Sequence, residues 1–420
     1  MAANKTDIWV YAHWIGMPEP KCIGILSAQQ AKGKKAFSFE YDPEWIKSKP
    51  QMLLDPEIQW YTGPQFSNKE ENFGIFLDSM PDTWGRTLMK RRAAQKAKEE
   101  GKPVPTLYDI DFLLGVYDEN RMGALRFKLS PDGPFLDNDY ETAAPPLYSI
   151  RELQHAADMV ESDPENEHVK KWIAMLMAPG SALGGARPKA NILDETGHPM
   201  IAKFPSRSDT IDKAAWEFLA YKLALQAGIE MTESKIQHVA GKYNTFFTKR
   251  FDRIGGERVH FASAMTMTNN NEDTIKDKPA SYLDLAEFIQ YSGGNIQPDL
   301  HQLWRRIIFN ISISNTDDHL RNHGFTLGNT GWKLSPAYDI NPSIDKDGLA
   351  LNIDQDNNTL DFGLAKSVGQ YFQLTNPEMN LIIGEVIETV QNWKNIANQI
   401  GISRSELESM ERAFRYRNVS

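Results

Sequence analysis

The stretch Ser314-Asn315-Thr316-Asp317-Asp318-His319-Leu320-Arg321-Asn322 decides how the rest of the chain is read. It follows the segment QLWRRIIFNISIS, on which Trp304, Ile307, Ile308 and Ile311 recur at spacings of three and four. That periodicity predicts a helix with one buried stripe. A rigid helix feeding a polar loop is a way to fix a catalytic group in place. Asp317 and Asn322 stand at the Asp-x-x-x-x-Asn interval of a kinase catalytic loop. Phosphoryl transfer explains the pair: a carboxylate orients the acceptor hydroxyl, and a neutral amide oxygen holds Mg²⁺ near the phosphates. Alone, the interval occurs by chance in many chains.

It gains weight from Asp339 in Ala337-Tyr338-Asp339-Ile340-Asn341-Pro342, which follows the hairpin-like FTLGNTGWKLSP. A second carboxylate there sits where kinases present their main Mg²⁺ ligand. The plainer alternatives are a turn former before Asn-Pro for Asp339, and capping for Asp317 and Asp318. His319 and His323 could help place phosphate or merely orient the loop backbone. With one cysteine, Cys22, and no second histidine cluster, a transition-metal site is not expected.

Upstream, Gly180-Ser181-Ala182-Leu183-Gly184-Gly185-Ala186-Arg187-Pro188-Lys189 combines flexible backbone with positive charge, as a phosphate cradle requires. It is not a Walker loop, which needs Gly-Lys-Ser/Thr opening a helix. In Ile201-Ala202-Lys203-Phe204-Pro205 a lysine lies within an apolar strand, and an inward lysine needs an anion. Glu217 on the next helix is one candidate partner for Lys203. That helix carries Trp216, Leu219, Ala220, Leu223, Ala224 and Ala227 on one stripe, with Ser208-Asp209-Thr210 as its expected start and Gly228 as its stop.

The chain has 420 residues, 46 Lys+Arg and 56 Asp+Glu, for a formal charge of −10. That length suits two or three domains. With 41% hydrophobic and 24% charged residues the composition is globular, not disordered. The single cysteine excludes an internal disulfide framework and fits a reducing compartment. No run is long enough for a membrane span, and the first residues lack a secretory signal, so a cytoplasmic location is expected. Net acidity argues against general nucleic-acid coating. Residues 7–42 look strand-rich, and 150–177 look helical. The segment 83–98 carries Arg86, Lys90, Arg91, Arg92, Lys96 and Lys98, either a contact surface for DNA or an acidic partner, or a solvated helix face. Residues 130–147, with four prolines, read as a linker or excursion. Strand-rich half, glycine loop, helix, strands and then helices is the order of a two-lobed phosphotransferase.

SALGGARPKANI, AKFP, FFTKRFDR, SNTDDHLRNHGF and LSPAYDINP, in that order, resemble the HipA family of bacterial serine/threonine kinase toxins. DIWVYAHW, FSFEYDPEW, FGIFLDSMPDTWGRTLM and LLGVYDENRMGALRF resemble that family's first subdomain, so the likeness covers nearly the whole chain. It implies an α+β, protein-kinase-like two-lobed fold with an α/β N-terminal part and a mainly helical C-terminal part. The implied divisions are an N-terminal subdomain with linker (1–147), a nucleotide-binding region (148–260) and a catalytic lobe (261–420). It implies ATP- and Mg²⁺-dependent phosphorylation of a protein serine or threonine, in family members typically on an aminoacyl-tRNA synthetase. A small helix-turn-helix antitoxin like HipB, which binds operator DNA, is the implied partner.

By position, the resemblance makes Asp317 the catalytic base and Asn322 and Asp339 the Mg²⁺ ligands. It assigns ATP to Gly184, Gly185, Ala186, Arg187, Pro188, Lys189 and Lys203. It adds His319, Leu320, Arg321, Asn322, Tyr338 and Asp339, with Lys249, Arg250 and Phe251 as the hinge meeting adenine. Ser181 is the nearest candidate for an autophosphorylated serine. Departures stand at GARPK, at Lys249 where an acid is expected, and at Asp318 where a glycine can stand; they bear on self-inhibition and substrate choice. Two other readings remain: a lipid or small-molecule phosphotransferase, and a DNA-bound corepressor acting with its antitoxin.

Overall fold

The computed structural model describes residues 4–31, 34–48, 51–68, 72–138, 149–162, 169–177 and 185–416. The chain divides into two compact units, residues 1–207 with 250–262, and residues 208–249 with 263–420.

The first unit is built on an antiparallel sheet of β1 (Asn4–Ala12), β2 (Lys21–Ala31), β3 (Lys34–Tyr41), β4 (Gln65–Phe66) and β5 (Leu125–Lys128). The strands lie in the order β4-β3-β2-β1-β5. Period-2 alternation decides the face that is buried: Ile8, Val10 and Ala12 point inward while Trp9 and Tyr11 are half-buried. Gly24 of β2 admits no side chain, because a Cβ would lie 2.3 Å from the Glu40 carbonyl oxygen. Helices α1 (Pro43–Ser48), α2 (Gly74–Leu77), α3 (Thr83–Glu99), α4 (Asp109–Leu114), α5 (Ile150–Ser162) and α6 (Val169–Met177) follow in the chain. A hairpin of β6 (Lys189–Leu193) and β7 (Pro199–Lys203) comes next. Its turn is closed by Asp194, whose Oδ1 accepts from the Thr196 and His198 amides, with Gly197 at φ +80.

The expected linker is only partly one. Arg121, fully buried, donates to the carbonyls of Ser79, Leu113, Val116 and Leu136, which ties Leu136 to the body of this unit. Leu136 also donates its amide to Phe127 of β5. Residues 139–147 lie outside the described residues.

The second unit opens with α7 (Lys213–Gln226), buried on nearly every side, and the hairpin β8 (Ser234–Gln237) and β9 (Thr245–Lys249). Its N-cap is Asp212, which accepts from the Ala215 amide at 3.0 Å, so the helix begins later than Ser208-Asp209-Thr210 suggests. Asp212 wins because Asn244 also donates to it, at 2.6 Å, a contact the local sequence does not announce. Gly228, at φ +75, ends the helix as expected.

After the short hairpin β10 (Arg253–Ile254) and β11 (Glu257–Arg258), which belongs to the first unit, β12 (Phe261–Ser263) leads into the remaining elements. These are α8 (Ala264–Met267), α9 (Glu272–Asp277), α10 (Tyr282–Ser292), α11 (Ile296–Ser312), β13 (Gly324–Gly328), β14 (Gly331–Leu334), α12 (Phe362–Ser367), α13 (Asn376–Gln391), α14 (Trp393–Ile400) and α15 (Arg404–Met410). Helix α11 is the axis of this unit. Trp304, Ile307, Ile308 and Ile311 are all fully buried on it, as the sequence pattern requires. Each such side chain contributes about 1.5–3 kcal/mol by leaving water. Among the described residues, no helix is long and apolar enough to cross a membrane.

Candidate functional site

In the second unit, α11 stops at Ser312 and Ser314 takes φ +50, the left-handed region that turns the chain out of the helix. The loop that follows is held by its own backbone: Asn315 N–H bonds Asn310 O, His319 N–H bonds Asp317 O, and Asn322 N–H bonds His319 O. The two adjacent aspartates then part ways. The Asp317 side chain is 76% exposed, and that of Asp318 only 4%.

Asp318 is surrounded by donors. Its Oδ2 accepts from the Tyr282 hydroxyl of α10, from Asn310 Nδ2 of α11 at 2.8 Å, and from His323 Nε2 at 2.7 Å. Burial alone would push this carboxyl up, but the His323 charge and the donated hydrogen bonds outweigh it and hold the group below the usual range. The Tyr282 phenol moves the other way, pushed well up by burial and by the Asp318 charge, and so stays a donor.

From Asn310 a line of amides runs on. Asn310 Oδ1 accepts from Asn315 Nδ2 at 3.0 Å, Asn315 Oδ1 accepts from the Asn341 amide at 3.4 Å, and Asn341 Nδ2 reaches Asp339 Oδ1 at 3.3 Å. This chain connects the buried Asp318 with Asp339. Asp339 itself sits at φ +57, a conformation that costs an aspartate free energy and is kept only where neighbours impose it. The buried Arg306 of α11 fixes the approach to this segment by donating to Ser335 O at 2.6 Å.

Asn322 donates Nδ2 to the Asp317 carbonyl at 3.0 Å, which leaves its Oδ1 as the acceptor atom. An amide oxygen and a carboxylate are hard oxygen donors of the kind Mg²⁺ takes, and Mg²⁺ retains waters and phosphate oxygens for its other positions. The donor set therefore fits such a cation. Among the described residues no group of three or more His, Cys, Asp and Glu side chains could hold a metal on its own. Tyr338 donates its hydroxyl to Arg321 O at 3.0 Å, and Arg321 pairs with Glu272 of α9 at 2.9 Å. Leu320 is buried, and His319 precedes the short 3-10 turn Leu320–Asn322.

In the first unit, the glycine turn has a different character. Ser181 and Gly184 lie outside the described residues. Gly185 is at φ +98, Ala186 is exposed, and Arg187 Nη2 donates to Phe204 O at 3.3 Å. Pro188 accepts the Phe204 amide. Lys189 is not the open phosphate-facing cation its motif suggests. Its Nζ is buried and lies 2.7 Å from Asp82 Oδ2, while Asp82 Oδ1 caps α3 through the Gly85 amide. Lys203 is half-buried at the end of β7, opposite Lys189 in register.

The hinge residues also face inward or sideways. Lys249 pairs with Glu233 at 2.6 Å. Arg250 is buried, donating to Asp252 and to the carbonyls of Asn120 and Arg121. Burial would raise Asp252, yet Arg250 and Arg253 hold its carboxyl well below the carboxylate range. Phe251 packs on Phe261 at 5.6 Å.

The sequence motifs give no role to Tyr282, Asn310, Asn315, Asn341 or Asp82. Asn310 did leave a signal, an amide on an otherwise apolar helical stripe.

A family model described as the HipA-like C-terminal domain matches residues 181–394. The chain belongs to the HipA family. A Haemophilus influenzae protein provisionally named a kinase is 24% identical over 215 residues, which is 46% of this chain and 62% of that protein's length. A chain in the Shewanella oneidensis MR-1 complex of HipA, HipB and operator DNA superposes with a TM-score of 0.65, at 18% identity, over 97% of this chain and 94% of that one. At that identity the likeness establishes the fold, and the α+β, HipA-like architecture expected from the motifs is the one present. The Helicobacter pylori proinflammatory kinase CtkA is 12% identical over 52% of this chain and 95% of its own, and its TM-score of 0.34 carries no argument.

Proposed function

We propose that this HipA-family chain is an ATP- and Mg²⁺-dependent serine/threonine protein kinase, the toxin of a toxin–antitoxin pair. The observation that carries the reading is an exposed Asp317 on a rigidly backed loop, with the acceptor oxygen of Asn322 and the constrained carboxylate of Asp339 in the same unit. Asp317 orients the acceptor hydroxyl and takes its proton as the oxygen–phosphorus bond forms, while the bond to the ADP oxygen breaks and its electron pair leaves with ADP. Asn322 and Asp339 hold the cation. When bound, Mg²⁺ neutralises charge on the phosphate oxygens. Within the first unit, Lys189 is assigned to holding the turn at Gly185 in shape through Asp82. Positioning and charge neutralisation supply most of the rate in such a site.

The implied substrate is a translation protein such as an aminoacyl-tRNA synthetase, and Ser181 is the candidate for self-modification. The partner we assign is a HipB-like antitoxin, with operator DNA reached mainly through it. The exposed side of α3, with Lys90, Arg92, Lys96 and Lys98, is a solvated face in this reading.

The test is incubation of purified wild-type and Asp317→Asn protein with Mg²⁺ and labelled ATP, followed by intact-mass and peptide analysis. Wild type should gain phosphate, and Asp317→Asn should lose transfer by about 10²–10⁴-fold with its unfolding midpoint unchanged. Equal labelling of the two overturns the assignment of Asp317.

A further inference from the structure

The segment after Asp339 brings a lysine to the catalytic loop that none of the motifs nominates. Lys346 Nζ lies 4.0 Å from Asp317 Oδ1, with both side chains mostly exposed. An exposed pair of this kind stabilises a fold by about 0–1 kcal/mol, so folding does not explain why the backbone beneath it is so firmly tied.

The ties are several. Ser314 O accepts the Ser343 amide at 3.1 Å. That one bond lies three residues before Asp317 on one strand of chain and three before Lys346 on the other, so it sets the register of both side chains. Ser343 Oγ then accepts the Asp345 amide at 3.1 Å, closing the turn that carries Lys346.

Residues 412–415 brace the same bond from outside. Arg412 Nη2 donates to Ile344 O at 2.9 Å, Ser314 Oγ donates to Ala413 O at 2.7 Å, and Arg415 bonds both Ser314 Oγ and Ser312 O. Phe414 anchors this brace by stacking on Trp393, with ring centroids 3.9 Å apart. The left-handed Ser314 is what lets its carbonyl and hydroxyl reach two different segments.

We propose that Lys346 is a catalytic residue of the phosphoryl transfer assigned to Asp317, meeting the transferred group's oxygens through its ammonium. The proposal rests on the kinase reading above. The chemistry requires no covalent step from Lys346. A mobile point charge beside the base meets negative charge that is spread over three equatorial oxygens as transfer proceeds. The bond from the Ser343 amide to Ser314 O keeps the backbone of Lys346 beside Asp317. A contact made mainly in the transition state should act on kcat and leave ATP binding alone.

The experiment compares Lys346→Gln and Lys346→Arg with Lys276→Gln, an exposed lysine on α9 that serves as the charge control. Phosphate transfer is measured under steady-state conditions, together with binding of ADP·Mg²⁺ with and without aluminium fluoride as the transition-state mimic. Lys346→Gln should lower kcat by about 10²–10³-fold, with KM for ATP within about twofold and with arginine restoring part of the rate. Affinity for the fluoride-bound complex should fall more than tenfold in Lys346→Gln, while ADP affinity is unchanged. An unchanged kcat, a change in KM alone, or an equal loss in Lys276→Gln overturns the proposal while the kinase reading stands. A wild-type protein that transfers no phosphate and binds the mimic no better than ADP overturns both.

Discussion

The glycine turn of the first unit and the Ser314–Asn322 loop of the second both place a buried aspartate next to a residue nominated for chemistry, and they use it in opposite ways. At the loop, Asp318 collects the donors and leaves Asp317 exposed. At the turn, Asp82 takes the nominated residue itself, drawing Lys189 into a buried pair. The difference shows that a charged residue in a functional motif can serve the ligand or the scaffold, and that spacing alone does not tell which. What decides is whether a second buried group of matching charge or hydrogen-bonding capacity is within reach. Arg250 repeats the lesson with Asp252.

The largest effect that would break this comparison is on Asp82. Removing it with Asp82→Ala leaves the Lys189 ammonium buried without its carboxylate and takes the cap from α3. The expected loss in denaturant unfolding is about 3–5 kcal/mol. The double variant Asp82→Ala with Lys189→Met should recover most of it, because the uncompensated charge is gone. A loss below about 1 kcal/mol in Asp82→Ala would mean that Lys189 finds another anion easily, and the turn would then be no different from the loop.

Asp318→Asn tests the other side at a smaller scale. Asparagine cannot give three donors an anionic acceptor, so stability should fall by about 1.5–3 kcal/mol at neutral pH. Because the folded chain holds this carboxyl below its unfolded value, the unfolded chain takes up the proton first as pH falls. The stabilisation is complete above about pH 4 and is lost through the more acidic range, so the wild-type and Asp318→Asn unfolding curves should converge there. A gap that widens with acidification would show that the charge on Asp318 is not what the donors hold.

Legibility in the sequence followed the same division. The Asp317/Asn322/Asp339 set could be proposed from the sequence because its members lie close along the chain, in the order that phosphoryl transfer asks for. The α11 stripe could be read because one face of one helix meets the core. Lys189 could not, since Asp82 is 107 residues away and no local pattern connects them. The contacts of Tyr282 with Asn310 and of Asn341 with Asn315 were hidden for a related reason: each joins segments more than two dozen residues apart, and only the folded second unit brings them together. The segment 130–138 misled because prolines and acids describe a loop's surface, whereas Leu136 is held by a buried arginine whose four carbonyl partners carry no sequence signature.

The smallest effect concerns α3, where a basic run offered a surface for DNA or an acidic partner. Arg86 lies over the Phe112 ring and bonds Pro81 O, and Arg91 Nη1 bonds Val160 O in the last turn of α5. Arg91 thus supplies positive charge to a helix C-terminus, where the carbonyls have no partners within the helix. Arg91→Ala should cost about 0.3–1 kcal/mol in thermal or denaturant unfolding. The double change Lys96→Glu with Lys98→Glu, at exposed positions on the same helix, should leave stability within about 0.5 kcal/mol. If instead the lysine changes weaken operator binding by a complex with the proposed HipB-like antitoxin while Arg91→Ala leaves stability untouched, the two kinds of basic residue on α3 exchange roles. The helix would then resemble the Ser314–Asn322 loop, with its charge kept for a partner.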